Sequence, residues 1–366
     1  MNVQKLVLSE YRNFEKASFS FNPDSIYILF GKNAQGKTNL IEAIYFLSHL
    51  RSWRTNKTPS LMRHGQESFT LECVVENSGR LESLKTIFSQ GKKYLFRNGK
   101  PVSAFSNFVG ILNAVIFCPD DLRLFSDPPK ERRKMIDIEL VKLSRSYTTV
   151  LSQFNKLLKE RSTILKTYQV DQVLLKTITD QMIDAQVILI QQRVAFVKLL
   201  NEKMNEIFHN FSEGNETLTL RYKTCVDASA DVRQQLVDAY AKSYDKDLKM
   251  KTTAIGIHKD DLEFYLDGKL VTQPASQGQK RSIMLALKIA LCQVIKDKTG
   301  HHPVLLLDDV FSELDESRRA GLVAAFPDEI QIFITTAETV DPSWFNRPVH
   351  FYTVDHGVMK EGLYDV

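Results

Sequence analysis

Helix-breaking residues are spread unevenly along this 366-residue chain. All eleven prolines lie at or before Pro129 or at or after Pro274, and no glycine occurs between Gly110 and Gly214. Within residues 130–213, apolar side chains recur at spacings of three, four and seven, and a short polar stretch separates two such runs. Because proline and glycine interrupt helices, this pattern predicts an inserted antiparallel helical arm, each limb about 55 Å long if fully helical.

The two flanks of the arm, residues 1–129 and 214–366, show the patterns of strands and tight turns. Asn98-Gly99 and Asp267-Gly268 each stand between short apolar segments, which is the strongest short-range signal of a β-hairpin. Other apolar runs alternate with helical periodicity, and this predicts an α/β head with a mostly parallel sheet, assembled from both flanks. The strands are predicted at 26–30, 304–307 and 330–334, and helices are predicted after residue 37 and over about 279–295.

A glycine-rich loop lies between the first buried strand and its helix. It reads G-x-x-x-x-G-K-T and consists of Gly31, Lys32, Asn33, Ala34, Gln35, Gly36, Lys37 and Thr38. Glycines let backbone N–H groups curl around phosphate oxygens, and a helix N-terminus favours anions. Lys37 would reach the β- and γ-phosphates of a nucleoside triphosphate, and the Thr38 hydroxyl would bind Mg²⁺. An ordinary turn before a helix is the alternative, but the strand and helix on either side favour ATP binding.

A second apolar strand, at 304–307, ends in Asp308 and Asp309. A carboxylate at the tip of such a strand, next to a phosphate loop, can hold the Mg²⁺ that bridges two phosphates. The following carboxylate could polarise the attacking water. Two acids after a strand are common on their own, so this prediction depends on the loop upstream. We assign Asp308 to the metal and Asp309, with Lys37, to catalysis.

A third motif, the loop Ser276-Gln277-Gly278-Gln279, has the form S-x-G-Q and directly precedes a predicted helix. In isolation, a serine that caps the helix N-terminus would be the better interpretation. The loop also offers a hydroxyl and free N–H groups to a phosphate. Since one chain's phosphates already occupy residues 31–38, this second surface would most naturally serve the nucleotide of a neighbouring chain.

Together these three motifs resemble the head of an ABC-type ATPase. Ser312-Glu313-Leu314-Asp315 stands in the place of a D-loop. The inserted helical segment is closer to the SMC-like DNA-repair branch than to transporter subunits. Over essentially the whole chain, the sequence is similar to the RecF family of bacterial recombination mediators. The segments that carry this resemblance are 11–14, 119–122, 128–133 with Asp137, 256–261 and 305–315.

The resemblance implies roles for individual residues. Ser276, Gly278 and Gln279 would lie against the γ-phosphate held by the other protomer of an ATP-dependent homodimer. Arg12 and Asn13 match a strand-end segment that approaches the nucleotide in such heads. The family further implies binding to duplex DNA and to single-strand/double-strand gap junctions, and cooperation with RecR and RecO in loading RecA.

Three departures from the ABC pattern predict slow turnover. Asp309 occupies a position where glutamate is usual, and its side chain is one methylene shorter. The usual switch histidine is replaced by Thr335-Thr336, and no Q-loop glutamine is evident near Pro119. Well-placed acid–base groups contribute about 10²- to 10⁴-fold in rate, so imperfect ones indicate a slow ATPase that acts as a switch.

Charge is distributed unevenly over the head. The chain has a net charge of only +4, but residues 51–100 hold ten Lys/Arg against four Asp/Glu, a net +6. A locally basic surface favours contact with a phosphate backbone. The candidates for DNA contact are Arg51, Arg54, Arg63, Lys92, Lys93, Arg97 and Lys100.

The remaining composition narrows the class of protein. No apolar run is long enough to span a membrane, and no signal-peptide pattern begins the chain. The four cysteines form no metal-binding pair and are expected to be buried thiols of a reducing cytoplasm. Three alternatives stay open: a small-molecule kinase, a transporter ATPase subunit and a scaffold that binds nucleotide without hydrolysis.

Overall fold

The structure is a computed structural model that describes residues 1–32, 35–210, 216–272, 275–355 and 358–362. Its strands are β1 Asn2–Tyr11, β2 Phe14–Ser20, β3 Ile26–Phe30, β4 Ser68–Asn77, β5 Arg80–Ser89, β6 Lys92–Arg97, β7 Lys100–Val102, β8 Ala114–Phe117, β9 Leu218–Lys223, β10 Asp261–Leu266, β11 Lys269–Leu270, β12 Val304–Asp308, β13 Ile332–Thr336, β14 Val349–Asp355 and β15 Val358–Glu361. Its helices are α1 Lys37–His49, α2 Pro129–Leu143, α3 Arg145–Ile164, α4 Gln172–Phe208, α5 Val232–Met250, α6 Gln277–Thr299 and α7 Glu316–Ala324. In these described ranges, no helix has the length and apolar character that crossing a bilayer requires.

A six-stranded mixed sheet forms the centre of the first compact unit. Its strand order is β15-β14-β3-β13-β12-β8, and all neighbours run parallel except β14 and β15. β3, β12 and β13 are buried at nearly every position, which explains why their sequences are continuous apolar runs without polar alternation. The α/β fold class and the predicted strands are confirmed, except that β13 begins and ends two residues later than the predicted 330–334. Because parallel strands end at one edge, the segments after β3, β8, β12 and β13 meet there.

A second sheet of the same unit is antiparallel throughout, in the order β2-β1-β4-β5-β6-β7. The predicted hairpin at Asn98-Gly99 joins β6 to β7, with Arg97 paired to Lys100. Both turn residues have positive φ, 50° and 74°, as a two-residue hairpin turn requires. The predicted Asp267-Gly268 hairpin, in the second unit, has the same geometry between β10 and β11.

The second compact unit contains α2, α3, α5 and α4 as far as Asn205, with the small antiparallel sheet β11-β10-β9. As far as it is described, the breaker-free segment is helical as predicted, but residues 130–210 hold three helices, because Ser144 ends α2 and caps α3 by accepting a hydrogen bond from Tyr147 N. Buried arginines tie this unit together. Arg161, 1% exposed, donates to Asp247 over 2.7 Å, and Arg193 pairs with the carboxylate of Asp137.

The two compact units have boundaries that differ from the predicted division at 130 and 213. As far as they are described, residues 1–122, 206–215 and 281–366 form the first unit, and 123–205 and 216–280 form the second. The segment 216–280 joins the helices because β9 and β10 pack on them. Asn201 of α4 accepts a hydrogen bond from Leu220 N, and Arg132 of α2 pairs with Asp261 over 2.8 Å.

All four cysteines are free thiols. Cys73, Cys118 and Cys292 are buried, as expected for small apolar residues of a core. The expectation was wrong for Cys225, which is exposed just after β9.

Candidate functional site: the strand ends of the mixed sheet

A cavity of about 790 Å³ opens at the carboxyl edge of the mixed sheet. The phosphate loop reaches it from β3, Asp308 and Asp309 from β12, Thr335 from β13, and Cys118 from β8. The structure therefore brings together most of the predicted nucleotide-site residues. Its lining is Arg12, Asn13, Gln35, Gly36, Lys37, Thr38, Asn39, Trp53, Arg54, Ser60, Met62, His64, Cys118, Pro119, Asp120, Asp308, Asp309 and Thr335.

At both glycines of the loop, an added Cβ would collide with a neighbouring atom, which would have to move. A Cβ on Gly31, at φ +148°, would lie 2.6 Å from the carbonyl oxygen of Val354, and a Cβ on Gly36, at φ +114°, would lie 2.5 Å from Asn13 Nδ2. Gly36 directly precedes α1, so the loop leads into a helix N-terminus. Asn33 and Ala34, the other predicted loop residues, lie outside the described residues. This backbone suits the close approach of an anion.

Lys37 is buried, and its ammonium lies against the loop. Nζ donates to the carbonyl oxygen of Gly31 and, over 3.1 Å, to that of Lys32. Burial lowers the pKa of Lys37, while the nearby carboxylates of Asp309 and Asp308 act in the opposite direction. A cation is thus held between the loop and the two predicted acids.

Thr38 and Asp308 meet as predicted. Thr38 Oγ1 donates to Asp308 Oδ1 over 2.7 Å, and Thr335 Oγ1 donates to the same oxygen over 2.8 Å. Burial raises the pKa of Asp308, and the two hydroxyl hydrogen bonds oppose that shift. A hydroxyl beside a carboxylate offers the oxygen ligands that Mg²⁺ prefers.

Asp309 stands in a left-handed turn. Its φ is 52°, a conformation that aspartate adopts more readily than most residues with a Cβ. Its backbone N donates to Thr335, at 3.1 Å to the carbonyl oxygen and 3.0 Å to Oγ1, and its own carbonyl accepts from Ser312. Its buried carboxylate oxygen Oδ1 has no hydrogen-bond partner among the described residues. This turn therefore presents an acid with an uncommitted oxygen.

Arg12 and Asn13 occupy the turn between β1 and β2 and line the same cavity. Arg12 forms a two-point ion pair with Glu42 of α1, with both nitrogens 2.8 Å from the carboxylate. Asn13 Nδ2 donates to the carbonyl oxygen of Gln35 over 2.9 Å and so supports the loop. In this structure, Arg12 binds a buried acid and Asn13 binds the loop backbone.

Glu42 was not among the predicted site residues. Its side chain is fully buried and holds Arg12, Arg54 and Ser52 at once, the last over 2.5 Å. The available sequence signal is an acid within α1, a helix whose residues from Leu40 onward are otherwise nearly all apolar. Such an acid needs partners when buried, but the sequence does not say which.

Ser276 forms a capping box at the start of α6. Gln279 N donates to Ser276 Oγ over 3.1 Å, and Ser276 N donates to Gln279 Oε1 over 2.9 Å. Gln279 also donates to Glu216, and the Ser276 side chain is exposed. The capping interpretation is therefore confirmed, and contact with a neighbouring chain's nucleotide stays a prediction.

The predicted DNA-contact residues divide by how they are paired. Arg54 lies 3.6 Å from Glu42, Arg63 pairs with Glu10 and Glu15, Arg97 pairs with Glu82, and the Lys93 ammonium donates to the carbonyl oxygen of Leu50 over 2.6 Å. For Arg51, Lys92 and Lys100 the described part of the chain offers no ion-pair partner. These three cations are the most available to a phosphate backbone.

Comparison with known proteins agrees with this geometry. The family model described as RecF/RecN/SMC N terminal domain matches residues 2–360. A DNA replication and repair protein RecF from Lactobacillus delbrueckii subsp. bulgaricus is 37% identical, over 99% of both chains. The chain belongs to the RecF family. A solved structure of the recombination mediator protein RecF-ATP in the RecFOR pathway superimposes on this RecF-family chain with a TM-score of 0.90 and 28% identity, covering 99% of this chain and 97% of the other.

A more distant structure shares only the fold. The SmcHead bound to the C-winged helix domain of ScpA is 16% identical, with a TM-score of 0.58 over 98% of this chain and 97% of that one. Because it belongs to the RecF family, the chain is an ABC-type ATPase of DNA replication and repair. Membership of this family favours that function over the kinase, transporter and scaffold alternatives.

Proposed function

We propose that this RecF-family chain binds DNA under the control of ATP and serves recombinational repair and replication, with a slow ATPase site as its switch. The observation that carries the proposal is the meeting of Thr38, Asp308 and Asp309 at one sheet edge, beside a loop whose Gly31 and Gly36 lie too close to neighbouring atoms to take a Cβ without a shift. That combination is what binding and hydrolysis of a nucleoside triphosphate require.

The residues at this edge fit Mg²⁺. Thr38 Oγ1 and Asp308 Oδ1 are hard oxygen ligands only 2.7 Å apart. Magnesium is commonly held by one or two protein groups together with waters and phosphate oxygens, so this pair is sufficient. When bound by Thr38 and Asp308, Mg²⁺ would act as a Lewis acid and neutralise charge that develops on the transferred phosphate.

The side chains of this chain supply the other parts of the reaction. Lys37 would exchange its contacts with the Gly31 and Lys32 carbonyl oxygens for phosphate oxygens. Asp309 would take a proton from the attacking water with its uncommitted Oδ1. Its short side chain reaches less far than the glutamate usual in ABC heads, which supports slow hydrolysis and a switch function.

Dimerisation is the proposed output of ATP binding. Ser276, Gly278 and Gln279 of one copy would cover the γ-phosphate held by residues 31–38 of a second copy, so that each nucleotide lies between two chains. The exposed hydroxyl of Ser276 and the start of α6 support this role, because a helix N-terminus attracts anions.

The proposed ligand is DNA, as duplex or gap junction. The basic surface of residues 51–100 would bind it chiefly through its phosphates. The related structure named for the RecFOR pathway supports RecR and RecO as partners, with RecA loaded downstream. Arg51, Lys92 and Lys100, which have no ion-pair partner among the described residues, support the placement of DNA on this surface.

Analytical ultracentrifugation with ATP, ADP or no nucleotide, each with and without duplex DNA, tests this proposal. We expect ATP with Mg²⁺ to convert monomers to dimers and DNA to strengthen that change. Lys37→Met should weaken nucleotide binding, whereas Ser276→Arg should leave nucleotide binding intact and abolish dimerisation.

Ser144→Arg is the matched control, because Ser144 caps α3 with the same side chain. It separates the loss of a helix cap, about 0.5–2 kcal/mol, from the loss of a contact between chains. ATP-dependent dimers of the Ser276→Arg protein would contradict the shared-site proposal. A wild-type chain that stays monomeric with saturating ATP, Mg²⁺ and DNA would contradict the switch.

A further inference from the structure

Two consecutive threonines end β13, and their hydroxyls have different surroundings. Both residues are buried, at 1% and 0% exposure. Thr335 Oγ1 donates to Asp308 Oδ1 over 2.8 Å and accepts from Asp309 N over 3.0 Å. Thr336 Oγ1 donates to the carbonyl oxygen of Glu338 and accepts from Glu338 N. Thr335 therefore contacts both predicted acids, while Thr336 caps its own loop.

We propose that Thr335 is a positioning residue that fixes Asp308 and Asp309 with a single hydroxyl, and thereby sets how tightly the nucleotide complex holds its divalent cation. This inference rests on the proposed ATPase function. It assigns no contact with the nucleotide or metal to Thr335 itself.

The hydrogen-bond inventory of Thr335 supports this role. A hydroxyl has one proton, and here that proton goes to Asp308, while a lone pair accepts from Asp309 N. The branched Cβ restricts the side-chain rotamer, and burial in a strand restricts it further. The hydroxyl is thus a rigid link between two carboxylate-bearing residues.

Each acid depends on this link differently. Asp308 Oδ1 accepts two hydroxyl hydrogen bonds, from Thr38 and Thr335. If Thr38 turned towards a metal, Thr335 would be the remaining one of these two donors among the described residues. Asp309 keeps its left-handed turn through Thr335, whose backbone carbonyl and hydroxyl both accept from Asp309 N. Loss of the hydroxyl should therefore affect the position of Asp308, the metal ligand, more than that of Asp309, the proton acceptor.

Groups that orient a metal ligand typically change metal affinity about 10- to 100-fold when they are removed. Thr335→Val keeps the branched shape and removes only the hydroxyl chemistry. The test uses the full chain with saturating adenylyl-imidodiphosphate and measures bound Mn²⁺ by electron paramagnetic resonance. We expect about 10- to 100-fold weaker Mn²⁺ binding in Thr335→Val, and near-normal binding in Thr335→Ser.

Thr336→Val is the matched control, because it removes a buried hydroxyl from the next position of the same strand. It should hold Mn²⁺ as the wild type does, even where both valine variants lose thermal stability. Should Thr335→Val fail to fold, Thr335→Ala against Thr335→Ser provides the same comparison, since these two differ only in the hydroxyl.

Equal Mn²⁺ affinity in Thr335→Val and Thr336→Val would overturn the positioning role while leaving the proposed function intact. A wild-type chain that binds no Mn²⁺ in a nucleotide-dependent way would instead overturn the proposed ATPase site. Turnover measured in parallel should fall in Thr335→Val and recover in Thr335→Ser.

Discussion

Gly36→Ala is the substitution whose cost the structure defines most closely. The added Cβ would lie 2.5 Å from Asn13 Nδ2 and 2.9 Å from Oδ1, which is closer than real Cβ contacts, so the Asn13 amide must move. It would then lose its hydrogen bonds with the Gln35 carbonyl oxygen and Asn39 Nδ2, 2.9 and 2.8 Å long.

The magnitude follows from two terms. Two hydrogen bonds are worth about 0.5–1.5 kcal/mol each, and a left-handed backbone, here φ +114°, costs alanine about 1–2 kcal/mol. We therefore expect Gly36→Ala to lower the free energy of unfolding by about 2–5 kcal/mol. Gly65→Ala is the control, because Gly65 has φ +82° and open space around its Cβ, and should cost only about 1–2 kcal/mol.

Urea unfolding of the single variants and of Asn13→Ala combined with Gly36→Ala measures both terms. Asn13→Ala removes the obstructing amide, so the combined loss should be about 1–3 kcal/mol smaller than the sum of the single losses. Nucleotide affinity should fall in Gly36→Ala and be unchanged in Gly65→Ala. Equal losses in both alanine variants, with additive effects in the double variant, would refute this reasoning.

Two further expectations concern buried ionisable groups. Glu42→Gln leaves the Arg12 guanidinium without its carboxylate, so the free energy of unfolding in urea should fall by about 3–5 kcal/mol. Glu82→Gln, at a more exposed pair, should lower it by at most about 1 kcal/mol, and equal losses would contradict the role of burial. Burial lowers the pKa of His302 to about 4, against about 6.5 in an unfolded chain, so the unfolded state binds the proton first as the pH falls. Stability from neutral His302 is complete above about pH 6.5 and is lost towards pH 4, so thermal melts of His302→Gln should show a flatter pH dependence there, and an unchanged profile would count against this assignment.

The sequence predicted features whose cause is local. The Gly31–Thr38 loop, the Asn98-Gly99 hairpin and the buried strands depend on backbone freedom, turn geometry and runs of apolar residues, all of which can be seen within a few positions. The meeting of Thr38 and Asp308 was also predicted, because parallel strands that carry such motifs end at one edge.

What the sequence did not predict depends on contacts between distant residues. Arg12 and Glu42 pair across two separate elements, and neither residue identifies its partner. Thr335 was noted only as a departure at the position of a switch histidine, since its contact with Asp308 comes from the register of β12 against β13. The extent of the second unit likewise depends on β9 and β10 packing on helices far upstream.

The single exposed thiol has a practical consequence. Of the four cysteines, Cys225 alone is accessible, and it lies in the second unit, outside the first unit that carries the nucleotide cavity. A maleimide dye should therefore attach at one native position per chain, without adding or removing any cysteine. Energy transfer between dyes on mixed donor- and acceptor-labelled copies would then report the association of two chains in real time.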